Sequence, residues 1–325
     1  MSGPRILIVK TSSMGDIVHA LPLVSDLTAQ VPHARIEWVV EEGFAAIPRL
    51  HPSITRVIPV ALRRWRKRLL APATWDEICA VRHQLNNVAY DRIIDCQGLL
   101  KSAWITRWAT GPRTGPDADS ARESIAARFY DDRVSVPAGL HAIERNRRLG
   151  AAAFGYALTQ PPRFDLKVPR LPPGLVPTGT PYAVLLTNAS RATKLWPDER
   201  WREVEAWLAG QGLRSLLFWG SAEEGEATQQ RLAGMRDARR LPRVTLDVAA
   251  AVLAGARVVV GLDTGLSHLA AAVGVPTVAI YCDYDPALVG VVGDAPCASL
   301  GGVDQSPAAQ DVFDAAQRVM RPTGP

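Results

Sequence analysis

The stretch ARVVVGLDTGLSHLAAAVGVPTVAIY, residues 256–281, spells one complete strand–helix–strand unit. ARVVVGL (256–262) has the length and branched apolar content of a strand buried on both faces. An Asp263-Thr264-Gly265 turn interrupts it, an alanine-rich helix begins near Ser267, and PTVAIY (276–281) returns as a second strand. Two strands joined through a helix run parallel, so the unit predicts a parallel sheet layered with helices. Free amides at the turn and helix start make an anion site, strengthened by the helix dipole. Gly265 has no side chain to obstruct a diphosphate, and Thr264 and Ser267 add hydroxyl donors. Asp263 repels phosphate and is assigned to sugar hydroxyls or to backbone capping. A plain strand–helix turn capped by Asp263 and Thr264 is the competing reading. His268, on the first helical turn, fits a structural or a ligand-contacting role.

The alternation extends both ways. Downstream of residue 181 it reads YAVLLT (182–187), a helix from about 198, RSLLFWG (214–220), a helix from about 223, the unit above, and a helical run over 307–320. Upstream it reads RILIVK (5–10), a helical pattern of Ile17, Leu21, Val24, Leu27 and Val31, then IEWVV (36–40), RVIPV (56–60) and DRIIDCQG (91–98), with helices over 75–86 and 99–109. Prolines at 161, 162, 169, 172, 173, 177 and 181, with glycines at 174 and 179, exclude a long helix or central strand between the halves. The expected architecture is α/β: an N-terminal Rossmann-like domain (1–168), a linker (169–181) and a C-terminal Rossmann-like domain (182–325), facing across a cleft. The last helix is free to pack back on the first domain.

Composition narrows the classes. A chain of 325 residues, 47% hydrophobic and 21% charged, is globular and long enough for two cores. A formal charge of +5 favours an anionic partner without distinguishing nucleic acid, membrane or phosphorylated substrate. Cysteines at 79, 96, 282 and 297 form no Cys-x-x-Cys pair, against both a zinc site and a disulfide framework. The N-terminus lacks a signal-peptide pattern. The most apolar stretch, 258–282, is broken by Asp263, His268 and Pro276 and does not span a bilayer. A soluble, cytoplasmic protein is expected.

Four further features carry candidate chemistry. In TSSMGD (11–16), Ser13 and Gly15 allow close approach, while GxGxxG and the P-loop lysine are missing. Asp16 is either an N-cap or a carboxylate that accepts a proton from a sugar hydroxyl. TNASRATKLWPDERW (187–201) presents Ser190 and Lys194 ahead of a helix opened by Pro197. Lys194 either neutralises a leaving diphosphate or is solvated. Glu223 and Glu224 follow the strand ending at Gly220, where an acid takes ribose hydroxyls or favours the helix N-terminus. Basic residues crowd RRWRKR (63–68), with Trp65, Leu69 and Leu70 interleaved, and recur at Arg107, Arg122, Arg128 and ERNRR (144–148). They form an anionic-lipid surface or an ordinary solvated face. Asp283-Tyr284-Asp285 has the spacing of a metal-binding pair but follows the last expected strand, so it reads as loop and no metal is expected.

KTSSMGDIVHALP (10–22), CQGLLKSA (96–103), KLWPDERW (194–201) and DTGLSHLAAAVGVPTVAIY (263–281) occur in this order over most of the chain. Together they resemble the bacterial lipopolysaccharide heptosyltransferases of glycosyltransferase family 9, most closely the branch that adds the first heptose (heptosyltransferase I). The resemblance implies a GT-B fold. It implies inverting transfer of L-glycero-D-manno-heptose from ADP-heptose to the inner Kdo of Kdo2-lipid A, with no cofactor and no metal, by a peripheral protein on the cytoplasmic face of the inner membrane. Asp16 is then the base, and Lys194 contacts the phosphate and sugar region. Glu224 holds the ribose, while Ser190, Asp263, Thr264, Gly265 and His268 bind the donor. Arg63, Arg64, Lys67, Arg122 and Arg145 receive the anionic acceptor. One departure stands out: the family often carries two adjacent hydroxyls before the lysine, whereas this chain has Ala189-Ser190. Transfer of the second heptose is the nearest alternative. A non-catalytic lipopolysaccharide- or membrane-binding protein accounts for the basic residues but not for the donor turn. No nucleic-acid partner is expected, because the basic run lies in no nucleic-acid fold motif.

Overall fold

The computed structural model describes residues 3–321, which fold as two units dividing at Asp165/Leu166. No helix or strand lies between Phe154 and Tyr182, where the prolines cluster.

The first unit is built on six parallel strands, β1 (Arg5–Val9), β2 (Arg35–Glu41), β3 (Ile54–Val60), β4 (Arg92–Asp95), β5 (Arg113–Pro116) and β6 (Asp132–Val134), in the order β3-β2-β1-β4-β5-β6. Ile6, Leu7, Ile8 and Val9 are wholly buried because β1 lies mid-sheet with helices on both faces. The second unit repeats the plan with β7 (Tyr182–Leu186), β8 (Arg214–Leu217), β9 (Ala238–Arg240), β10 (Val258–Leu262), β11 (Thr277–Tyr281) and β12 (Cys297–Gly301). Their order, β12-β11-β10-β7-β8-β9, is the same doubly wound arrangement read from the other edge. Each sheet therefore has one topological switch point, between β1 and β4 in the first unit and between β7 and β10 in the second. In such sheets ligands bind beyond the carboxyl ends of the strands at that point.

Where expectation and structure part, the reasons are local. The single helix expected from Ile17 to Val31 is two, Met14–Val18 and Leu21–Gln30. Pro22 cannot donate to the carbonyl of Val18, so the ladder stops and restarts around Ala20. Strands β5, β6, β9 and β12 escape the apolar pattern because they lie at or near sheet edges, where Gly, Pro and charged residues are tolerated. The final helix, Ala309–Met320, seats Val312, Ala315, Ala316 and Val319 in the second unit's own core with Val258, Val260, Val278 and Ile280. Its apolar face is thus part of the second unit's own core.

A buried polar clasp closes the first unit. His51 is 1% exposed; its Nδ1 accepts from the Ser53 amide (3.2 Å), which leaves the proton on Nε2, 3.1 Å from Ser25 Oγ. Burial pushes the imidazole down to about 4, with Asp165 opposing. The folded state thus holds the ring neutral where the unfolded chain, at its ordinary value, binds a proton. Stability contributed by this site is present near neutrality and is lost as pH falls from about 6.5 towards 4, by up to about 3 kcal/mol. Urea denaturation at pH 7 and 4.5 should show a smaller acid penalty in His51→Gln than in the wild type. Identical penalties would remove His51 as the source.

Candidate active site

At the first switch point β1 runs into Lys10, Thr11 and Ser12, and Ser13 opens the helix Met14–Val18. Ser13 is the N-cap, which rules out the N-cap alternative for Asp16. Asp16 occupies the third helical position and turns back, its Oδ2 accepting from Ser13 N (2.9 Å) and Ser13 Oγ (3.0 Å). Its Oδ1 pairs with Arg122 at 2.7 Å. Burial alone pulls the Asp16 carboxyl up, but Lys10, Arg122 and the Ser13 hydrogen bonds override it and hold it below its usual value. It is a carboxylate at neutral pH, partly shielded and able to accept a proton. Gly15, the second residue of this helix, accepts from His19 N at 2.9 Å.

The strand-end loops brace this carboxylate. Gln97, beyond β4, accepts the Thr11 and Ser12 amides on Oε1, each at 3.1 Å. Asp95 beneath it is fully buried and accepts from Gln97 N (2.8 Å) and Tyr130 Oη (2.7 Å); burial raises its carboxyl. Lys10 is buried and donates Nζ to the Cys96 carbonyl at 2.6 Å, and burial lowers its ammonium. Lys10, Asp16, Gln97, Ser120, Arg122 and Arg145 line one small cavity of about 50 Å³. Lys10 was not singled out from sequence. The available signal was a charged residue ending an otherwise apolar buried strand.

The basic residues divide into two groups. Arg122 and Arg145 share the Asp16 cavity, where Arg145 also donates to the Ser120 carbonyl at 2.8 Å. Arg63, Arg64 and Lys67 lie on the helix Leu62–Lys67 and line a separate hollow with Glu41, Glu42 and Phe44. There Arg64 is clasped by Glu42 (3.0 Å) and Glu77 (2.8 Å), while Arg63 stacks over Phe44 at 5.4 Å. Trp65 is 4% exposed and donates Nε1 to Glu77 at 2.6 Å, so it anchors this helix and does not face a membrane as the interleaved pattern suggested.

At the second switch point Asp263 leaves β10, Thr264 caps the helix and Gly265 begins it. Lys194 donates to the Asp263 carbonyl at 3.1 Å and forms a short ion pair with its carboxylate. His268 Nε2 lies 3.3 Å from the other carboxylate oxygen. Burial raises the Asp263 carboxyl, but hydrogen bonds from His268 and Lys194 outweigh it and hold it down. Asp263 is therefore a hub between Lys194 and His268 and not a helix cap, while Thr264 and Gly265 stay partly accessible. Ser267, expected to offer a hydroxyl, is fully buried and donates to the Leu262 carbonyl at 2.6 Å. That packing depends on Gly261, where a Cβ would meet Ser267 Oγ at 2.4 Å.

The surrounding loops complete the second site. Ser190 is exposed in the loop that carries Lys194. Glu224 accepts the Gly220 amide on Oε2 at 2.7 Å and closes a capping box with Ser221, so its capping reading is realised. Asp283 departs from expectation. β11 is not the last strand, since β12 pairs outside it, and Asp283 lies just beyond the carboxyl end of β11. It accepts the Thr193 hydroxyl at 2.6 Å and faces Arg191 at 3.4 Å, tying down the Lys194 loop from one side. Trp196, 3% exposed and bonded through Nε1 to the Pro307 carbonyl at 3.0 Å, anchors it from the other. Asp283→Ala frees the loop without touching Lys194 itself. It should raise the donor KM about fivefold, the equivalent of one hydrogen bond, with kcat and melting temperature little changed. An equal loss in melting temperature and in kcat would mark Asp283 as merely structural.

One switch point thus carries a carboxylate, and the other a lysine–aspartate–histidine cluster at a helix start. The pattern of glycosyltransferase family 9 (heptosyltransferase) matches residues 78–311. The chain belongs to that family. It is 45% identical to lipopolysaccharide heptosyltransferase 1 of Pseudomonas aeruginosa, over 90% of this chain and 85% of that one. The E. coli heptosyltransferase WaaC with ADP superposes with a TM-score of 0.87 at 39% identity, covering 97% of this chain and 99% of that one. The same enzyme with ADP-2-deoxy-2-fluoro heptose gives 0.85 at 38% identity, with the same coverage. This heptosyltransferase thus has the two-unit α/β fold expected from sequence, and its Lys194 loop and Asp263 turn both lie within the matched segment.

Proposed function

We propose that this heptosyltransferase moves L-glycero-D-manno-heptose from ADP-heptose to the inner Kdo of Kdo2-lipid A, with inversion and without a metal. The observation that carries the reading is that each unit holds one set of groups beyond its sheet: in the first an ionised Asp16 held by Ser13 and Arg122, in the second the Lys194–Asp263–His268 cluster at a helix start. The relative bound to an ADP-heptose analogue supports the donor. Asp16 takes the proton of the acceptor hydroxyl as that oxygen attacks the anomeric carbon and the bond to the diphosphate breaks. The ADP leaving group collects its charge against the Thr264 and Gly265 amides and Lys194, which do the work a metal does elsewhere. Glu224 keeps one carboxylate oxygen outside its capping bonds for the ribose, and Ser190 offers a hydroxyl to the phosphate. Arg122, Arg145 and Lys10 meet the anionic acceptor.

No described helix is long and apolar enough to cross a membrane. We place the protein peripherally on the cytoplasmic face of the inner membrane, where a lipid-anchored acceptor is presented.

Mass spectrometry of the product from ADP-heptose and Kdo2-lipid A tests the acceptor. Heptose should appear on Kdo2-lipid A; transfer only to an acceptor already carrying one heptose would assign the second step instead. Anomeric coupling in the product reads inversion, and turnover should persist in EDTA.

A further inference from the structure

We propose that an apolar groove on the first unit, lined by Leu62, Leu99, Leu100, Trp104, Trp108 and Phe129, docks the protein onto an anionic lipid bilayer. This rests on the reading of a lipid-anchored acceptor and names the surface that reaches the lipid. Leu100 is 41% exposed, Trp104 57% and, on the neighbouring 3-10 turn Ser124–Phe129, Ile125 48%. A single open apolar side chain is ordinary, but grouped in one patch such side chains mark an interaction surface. Trp104 and Phe129 meet edge-on at 6.1 Å, so one aromatic wall joins the helix Leu100–Thr106 to that turn.

Charge selects the occupant. Lys101 and Arg107 flank Trp104 on its helix, and Arg128 follows Ile125; all three are exposed. The one acid at the groove, Glu123, is engaged by the Leu100 amide at 2.6 Å. Apolar side chains ringed by lysine and arginine suit an anionic interface, where the rings sit among headgroups and the cations meet phosphates. A second copy fits poorly, since two-fold pairing sets like charges opposite one another. The groove also adjoins the Asp16 loop, because Lys101 Nζ reaches Ser12 Oγ at 3.5 Å. Docking there brings the membrane beside the carboxylate that the acceptor must approach.

The test is co-sedimentation with vesicles of phosphatidylethanolamine and phosphatidylglycerol, against phosphatidylcholine alone, alongside transfer to a deacylated, water-soluble acceptor. Wild type should bind the anionic vesicles. A Leu100→Ser, Trp104→Ser, Ile125→Ser triple variant should lose binding on the order of tenfold or more while keeping wild-type turnover on the soluble acceptor. An Arg107→Gln, Arg128→Gln variant, with the groove intact, should lose the preference for anionic lipid. Wild type that ignores vesicles, a triple variant that binds unchanged, or a wild-type dimer that the triple variant dissolves each overturns the proposal. Absence of turnover on the soluble acceptor in wild type would instead overturn the transfer reading and leave the vesicle result standing.

Discussion

Asp16→Asn should bind ADP-heptose as the wild type does and turn over about 100- to 10,000-fold more slowly, the range lost when a general base is removed. Asparagine is chosen because its carbonyl oxygen can still accept the Ser13 amide, now at 2.9 Å, so the helix start survives while the proton acceptor does not. Calorimetry with ADP-heptose reports binding and ADP release reports turnover. Near-normal turnover would remove Asp16 as the base. The ion pair with Arg122 sharpens this into a pH prediction. In the free enzyme, Lys10 and Arg122 hold the Asp16 carboxyl below its ordinary value against the pull of burial. The acid limb of kcat/KM therefore falls below the usual carboxylate range. An anionic acceptor group draws Arg122, whose side chain is half exposed, away from Asp16. The carboxyl rises, the base strengthens, and the acid limb of kcat should lie at higher pH than that of kcat/KM. Coincident limbs would show that Arg122 stays on Asp16 throughout.

Lys194→Ala should cost about 100- to 1,000-fold in kcat, the scale of a lost charge-stabilising donor, and should raise the donor KM. It should also destabilise the second unit. Asp263 is a buried carboxylate held by Lys194 and His268, and removing the lysine leaves that charge with one partner, an effect of about 3 kcal/mol or more. The sign with pH follows from the depressed Asp263 carboxyl. The stabilisation is complete above the unfolded carboxylate value and is lost as pH falls through the lower folded one. The stability gap between wild type and variant should therefore narrow in acid. Urea denaturation at neutral and acid pH measures the gap, and steady-state ADP release measures turnover. A variant with wild-type kcat/KM for ADP-heptose would place Lys194 outside the donor site. Lys194→Arg keeps the charge but replaces a point donor with a planar fork, and should recover stability better than turnover.

The central strands and both site-bearing turns were legible because buried parallel strands read as unbroken apolar runs and their carboxyl ends are marked by abrupt polar residues. RILIVK to TSSMGD and ARVVVGL to DTG are the two instances, and both prove to lie at switch points. Edge strands such as β6 and β9 were not legible, because a strand with little to bury has little pattern to show. The role of Asp283 was hidden for the same reason: β12, the strand outside β11, is only half-buried, so β11 looked like the end of the sheet.

By itself the sequence determined the repeated α/β plan, the proline-rich break and the helix start after β10, and it singled out the candidate residues Asp16, Lys194 and Asp263. These follow from periodicity, backbone chemistry and ordered motifs, all local along the chain. Only the tertiary structure decided which charges meet. It put Arg122 on Asp16, 106 residues away, and Lys194 on Asp263, 69 residues away. It turned Trp65 inward, left Trp104 outward and buried Lys10 beside the Asp16 loop. Pairing between distant residues depends on strand order and on which loops end side by side, and neither quantity is written in any local stretch of the chain.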